Sequence, residues 1–166
     1  NAQGSHPDDH LTFDESSYEA WQAILAVTLD GTFLCCRSLG NKMIDTGSII
    51  NMSSVYGLLS PDFRIYDQVG FSSSAAYTTA KSGLIGLTRY LAVYWAKRSL
   101  RVNCVSPGGV FNDQPSEFTM AYSNRVPMGR MSNVNEIQGV VGWLASDSSS
   151  YVTGQNIVVD GGLSAW

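Results

Sequence analysis

Charge is scarce in this chain. Only 14% of its 166 residues are charged, and ten basic side chains stand against fourteen acidic ones, for a net charge of −4. A nucleic-acid binder needs a basic stripe to displace counterions from phosphates, and none is present. The same shortage argues against a basic helix on a membrane surface. No apolar run approaches the roughly 18 residues that a membrane span needs, and no basic start precedes an apolar signal core. Cysteine is limited to Cys35, Cys36 and Cys104, an odd number without ligand spacing. Adjacent Cys35 and Cys36 on a helix point to different sides, so the three read as buried thiols in a reducing, cytoplasmic compartment. His6 and His10 are the two histidines. Their spacing suits a metal on a helix, but Pro7 and the Asp8-Asp9 pair between them predict a loop, so no metal site is expected.

What is present is core-forming sequence. Hydrophobic residues make up 44%, which at this length predicts one domain over 1–166 with one good core. Residues 1–15 are polar and irregular. A helical period then runs through Trp21, Ile24, Leu25, Thr28, Leu29, Thr32 and Phe33, with Ser16 or Ser17 as cap and Gly40-Asn41 as stop. Gly31 within it costs about 1 kcal/mol relative to Ala, so a close neighbour is expected there. Ser48–Ser53 reads as a strand buried on both faces. The Gly, Pro and Ser punctuation of 57–75 predicts a loop. A second long helix covers about 75–98, and Leu100–Val105 is the next strand. A turn-rich stretch from Ser106 to Ser132 follows, with a short helix near 116–122. Asn133 or Asn135 opens a further helix, and Asn156–Val159 is the last strand. Helices alternating with strands predict a parallel sheet with helices on its faces, an α/β doubly wound architecture.

In such sheets ligands bind outside the carboxyl ends of the strands. Ser54 lies at one such end and Ser106-Pro107-Gly108-Gly109 at the next. Tyr77 and Lys81, four apart near the start of the intervening helix, share a face. A free tyrosine, with a pKa of about 10, is a poor base near neutrality. A neighbouring ammonium favours the phenolate and lowers that value. The phenol then exchanges a proton with an alcohol or carbonyl oxygen while hydride moves elsewhere. The Ser54 hydroxyl bonds the same oxygen and orients it. Taken separately, a Tyr-x-x-x-Lys spacing or a Ser-Ser after a strand is an ordinary solvated feature. Their joint placement in strand, helix and strand is what carries the reading.

In that frame the chain resembles the short-chain dehydrogenase/reductase family, single-domain type. Trp21 to Phe33 resembles its "W…V-N-L-x-G-x-F" helix, and Gly47 to Gly57 its "G-x-I-I-N-x-S-S-x-x-G". Tyr77 to Gly86 resembles "Y-x-x-x-K-x-G-L-x-G", and Arg101 to Gly108 "R-V-N-x-V-x-P-G". Pro127 to Arg130, Tyr151 to Gln155 and Asp160-Gly161-Gly162 resemble its closing signatures. The resemblance implies a Rossmann-like sheet and an NAD- or NADP-dependent oxidoreductase acting on an alcohol/carbonyl pair. It makes Tyr77 the general acid/base, Ser54 the substrate-orienting hydroxyl, and Lys81 both the tuner of Tyr77 and a ligand of the cofactor ribose. Pro107, Gly108 and Val110 border the nicotinamide. The long helices at 17–40 and 75–98 are the family's usual pairing surfaces, implying a homodimer or homotetramer, with Tyr94 and Trp95 partly at the contact.

Three departures from the family pattern set further expectations. Asn1-Ala2 is similar to the tail of its "N-N-A-G" motif, a cofactor-binding position, and the preceding glycine-rich phosphate loop is not in the sequence. The chain is therefore expected to be an N-terminally truncated, C-terminal portion of the sheet, with the half that binds cofactor phosphates missing. Thr28 stands at the family's catalytic asparagine, where it offers one hydroxyl and no amide. Ser54 and Tyr77 are 23 positions apart, about ten more than is common in the family. The inserted segment carries Phe63, Arg64, Tyr66, Asp67 and Phe71, and substrate contacts are expected from Ser54, Tyr56, Arg64, Tyr66 and Phe111. Phe118, Met120 and Tyr122 are placed on the usual substrate lid. Arg64 or Tyr66 is expected to contact a small polar, sugar-like or acidic substrate, and the insertion and chain ending are similar to a branch near gluconate-type and surface-glycan-modifying reductases. Two other readings stand beside this one: a catalytically incompetent scaffold or remnant, and a sugar epimerase or dehydratase, which would carry a further substrate domain.

Overall fold

A computed structural model describes residues 4–8, 11–43, 46–67 and 69–166. Asn1, Ala2 and His10 lie outside these described residues. The first helix begins at Tyr18 because Ser17 caps it, its hydroxyl accepting the Ala20 N–H. Helix α1 (Tyr18–Leu25) passes through one wide π turn (Ala26–Asp30) into α2 (Gly31–Gly40). No close neighbour accounts for Gly31. A methyl group there would meet only the Ala26 carbonyl, at 3.5 Å, and the glycine instead follows directly on the π turn.

Three strands form the sheet: β1 (Gly47–Met52), β2 (Leu100–Pro107) and β3 (Asn156–Val159), in that order and all parallel. Ile49 lies opposite Val102, and Cys104 opposite Asn156. Helix α3 (Ala75–Trp95) joins β1 to β2, capped by the Ser74 hydroxyl at Tyr77 N. Helices α4 (Ser116–Ser123) and α5 (Val134–Ala145) lie between β2 and β3. A capping box between Asn133 and Glu136 opens α5.

Side chains alternate across the strands as the period of two requires. Leu100, Val102 and Ile49 pack against Cys36 of α2 and Leu91, Ala92 and Trp95 of α3. On the other face Val105, Ile50, Met52 and Ile157 pack against Ile137, Val140 and Leu144 of α5. Both faces of the sheet are thus covered by helices, which corrects the expected half-fold: the described residues form a Rossmann-like α/β unit flanked on either side. Residues 57–75 are mostly loop, with short 3₁₀ turns at Val55–Gly57 and Phe63–Tyr66.

The expectation on membrane spans also needs correction. Tyr18–Gly40 is, by length and a mean hydropathy of 1.4, long and apolar enough to cross a membrane. In the fold its Ala20, Ile24, Thr28, Thr32 and Cys36 are buried, and it packs on α3 and β1.

Candidate active site

The site forms at the carboxyl end of β1 and β2, where three local devices bring the expected side chains together. Ser53 continues β1 by donating its N–H to Val105 O at 2.8 Å, and its hydroxyl donates to the Lys81 carbonyl at 2.7 Å. That second bond fastens α3 to the end of β1. Ser54 then turns the chain, its Oγ accepting the Tyr56 N–H at 3.2 Å. Helical spacing sets Lys81 one turn below Tyr77, with Nζ 5.5 Å from the phenol ring centre.

Lys81 is only 6% exposed. Its ammonium donates to the Met52 carbonyl at 2.9 Å, the one hydrogen bond it makes among the described residues. An ammonium has three donors, so two remain for a ligand. Burial pulls the Lys81 pKa below the ordinary lysine value. Burial also pushes the Tyr77 phenol above its ordinary value, and the nearby Ser54 hydroxyl draws it partly back. This differs from the expected lowering by Lys81. The ammonium sits over the ring face rather than at the hydroxyl, and burial of the phenol sets the direction of the shift.

Tyr77 and Ser54 open into a cavity of about 380 Å³, within the usual size of a small-molecule site. Tyr56, Tyr66, Gly108 and Val110 also line it. Arg64 does not: its side chain is 84% exposed and pairs with Asp62 at 2.7 Å. Phe111, Pro107 and Lys81 are likewise outside the lining, with Lys81 behind Tyr77. On the lid, Phe118 and Tyr122 face the cavity, whereas Met120 is 61% exposed. Thr28 is fully buried and supports the cavity from behind. Its Oγ1 accepts the N–H of Gly4 at 3.0 Å, and its carbonyl accepts the Thr32 hydroxyl at 2.7 Å. Gly4 itself lines the cavity. Its packing on α1 is so close that a methyl group would come within 2.7 Å of Ala23 O and Ile24 Cα.

The structure adds residues that the sequence pattern had not marked. Ser73, Gln114 and Met131 line the cavity. The Tyr122 hydroxyl accepts the Gly109 N–H at 2.6 Å, and a methyl group at position 109 would come within 2.7 Å of the Tyr122 ring. Nothing in the sequence near Gly109 points to Tyr122, thirteen residues on. Among the described residues no cluster of three or more His, Cys, Asp and Glu side chains offers a metal site.

Comparison with known proteins places the chain. A family model described as enoyl-(acyl carrier protein) reductase matches residues 1–164. A 3-oxoacyl-[acyl-carrier-protein] reductase of Aquifex aeolicus is 37% identical over 149 residues, covering 86% of this chain and 56% of the relative. The crystal structure of a short-chain dehydrogenase from Leptospira borgpetersenii with bound NAD+ superposes with a TM-score of 0.88 at 39% identity, covering 98% of this chain and 62% of that one. A gluconate 5-dehydrogenase from Burkholderia cenocepacia, in complex with NADP and tartrate, gives a TM-score of 0.87 at 28% identity, covering 100% and 63%. The chain belongs to the short-chain dehydrogenase/reductase family and has its NAD(P)-linked oxidoreductase fold. The matches run along nearly all of this chain, and the helices on both faces of its sheet correct the expectation of a half-fold. As a plain measure of extent, the chain spans 56% of the Aquifex relative it matches.

Proposed function

We propose that the protein interconverts an alcohol and a carbonyl compound with NAD or NADP, Tyr77 serving as general acid/base. One observation carries this reading: Ser54 and Tyr77 share a cavity at the carboxyl end of a parallel sheet, with the Lys81 ammonium directly behind the phenol. The donor set fits the nicotinamide-ribose end of such a cofactor. Lys81 has two donors to spare for ribose hydroxyls, and the Gly108–Val110 backbone borders the place a nicotinamide would occupy. When bound, the dinucleotide supplies the hydride acceptor or donor.

The chain's own residues do the rest. Ser54 offers its hydroxyl to the substrate oxygen and holds that oxygen beside the phenol. Tyr77 gives its proton to a carbonyl oxygen or takes one from an alcohol. Lys81, positive and buried, stabilises the phenolate left behind. Thr28 acts as a positioning residue through Gly4.

The test is Tyr77→Phe, assayed on a panel of secondary alcohols and ketones with NAD(H) and NADP(H) by absorbance of the reduced nicotinamide. Turnover is expected to fall by about 10²–10⁴-fold, with an unchanged circular dichroism spectrum. Retained turnover would overturn the assignment.

Self-association is part of the same proposal. Tyr90, Val93 and Tyr94 are 65–80% exposed on α3, and the Tyr90 and Tyr94 rings stack at 6.0 Å. With the exposed Phe33, Leu34 and Leu39 of α2 they give apolar helix faces suited to a homodimer or homotetramer. Trp95 is 2% exposed and belongs to the core rather than to that face. Light scattering should therefore give a mass above that of one chain. The three cysteines are free thiols, Cys36 and Cys104 buried but Cys35 exposed, contrary to the expectation for all three; free thiols suit a reducing, cytoplasmic setting.

A further inference from the structure

Among the described residues no charged side chain lines the cavity that holds Tyr77 and Ser54. Lys81 stands behind Tyr77 and donates to the Met52 carbonyl, and the other charges near the cavity are engaged within the fold. Asp62 pairs with both Arg64 and Arg125 on the far side of the Phe63–Tyr66 turn. Asp160 accepts the N–H groups of Gly162 and Ser164, at 2.9 and 2.8 Å. What faces the cavity is aromatic. Tyr66, Phe71 and Phe118 form a triangle with ring centres 5.2–5.8 Å apart, and Tyr122 extends it at 5.9 Å from Phe118.

Two of these rings come from the inserted segment and two from the lid helix α4. All four line the cavity; Phe118 and Tyr122 also belong to a buried core cluster, whereas Phe71 is 37% exposed. Polar groups on the wall are neutral. Ser73 Oγ is buried without a hydrogen-bond partner; it lies close enough to Tyr66 to influence its phenol but completes no bond of ordinary length. An unpaired buried hydroxyl is costly, and a ligand atom would satisfy it.

Resting on the oxidoreductase reading above, we infer that the substrate is an uncharged, ring-bearing alcohol or ketone whose apolar face packs on the Tyr66–Phe71–Phe118 wall. A carboxylate or phosphate packed on this wall would shed its water and find no cation among the described lining residues in exchange. An alicyclic or aryl ring loses nothing of that kind and gains contact with ring faces and edges. A second neutral polar group on the ligand reaches Ser73. The class therefore excludes the acidic substrate that Arg64 suggested.

The test compares two ring ketones that differ in charge, 4-methylcyclohexanone and 4-oxocyclohexanecarboxylate. Binding to the full chain is followed by saturation-transfer NMR, which requires neither cofactor nor turnover. The neutral ketone is expected to bind at least about tenfold more tightly than the carboxylate. Phe71→Ala, a half-exposed position that can be changed without breaking the core, is expected to weaken the neutral ketone by about five- to tenfold. Equal or tighter binding of the carboxylate would overturn the inference, as would unchanged affinity in Phe71→Ala. Tyr77→Phe separates the two claims. If it keeps the ketone bound and loses turnover, both stand. If it keeps turnover, the catalytic assignment falls and the substrate class is still judged on the charge pair alone.

Discussion

The hollow in front of Tyr77 and the groove between α2 and the outer edge of β1 are built on the same sheet and differ in what they do with polar atoms. The groove is the larger, about 680 Å³ against about 380 Å³, and its lining includes Val27, Leu39, Met43 and Ile49. Its polar groups are already engaged in holding the fold. Asn51 donates to Thr88 Oγ1 at 2.9 Å, Ser48 donates to the Leu144 carbonyl at 2.7 Å, and Thr32 is bonded to Thr28. In the smaller hollow, Ser73 is unpaired and Lys81 behind Tyr77 has donors to spare. Size follows from how far two elements stand apart. Chemistry follows from polar groups that the fold places and then leaves unsatisfied.

The sharpest way to test that contrast is to strike the hollow. Lys81→Met keeps the length of the buried side chain and removes its charge, and kcat/KM is expected to fall by about 10²-fold or more. Next in size is Tyr122→Phe, which leaves the Gly109 N–H without its acceptor. A loss of about 1–3 kcal/mol in unfolding free energy is expected by urea denaturation, together with a raised KM from a loosened lid.

Alkaline titration is a broader probe of the same wall. Burial raises the phenols of Tyr56, Tyr66 and Tyr77, and pushes Tyr122 up to about 12. Each folded value lies above the unfolded one of about 10. The unfolded chain therefore gives up these protons first. The stability they contribute is full below pH of about 10 and is lost as pH climbs toward about 12. Thermal melts across that window should show a steep fall in Tm, and Tyr122→Phe should flatten it.

A smaller effect is expected for Asp62→Asn, which unlinks the inserted segment from Arg125 beside the lid. The ion pair is partly exposed, with side-chain exposure of 15% for Asp62 and 40% for Arg125, so about 1 kcal/mol is the scale. Least affected should be Leu39→Ala in the groove. With that side chain 58% exposed, kcat/KM should stay within about twofold and stability within about 0.5 kcal/mol. A groove variant that cost as much turnover as Lys81→Met would erase the distinction between the two hollows.

Much of this was readable in the chain itself, for reasons that differ from residue to residue. The strands and long helices show in their apolar periods and in the Ser17 and Asn133 caps, because those signals are local. Tyr77 and Lys81 show in a spacing of four, since a helix turns spacing into adjacency. The aromatic wall was harder to see, because it gathers Tyr66 and Phe71 with Phe118 across some fifty positions of chain, and only packing brings them together. The outward turn of Arg64 follows from Asp62 two residues before it, whose carboxylate captures both its backbone N–H and its guanidinium. Thr28 looked like a weakened catalytic position; its partner Gly4, 24 residues earlier, could not be read from either residue's neighbours.

The bond from Gly109 to Tyr122 has a further meaning for motion. Tyr122 lies on helix α4, where a substrate lid was expected, and Gly109 lies just beyond the end of β2. Helix α4 cannot move away from β2 without releasing that amide to solvent. Gly109 N–H is thus a built-in gauge of opening. Its hydrogen-exchange rate counts how often the cavity admits a visitor, and a ligand that settles on the aromatic wall should slow that clock in proportion to its occupancy.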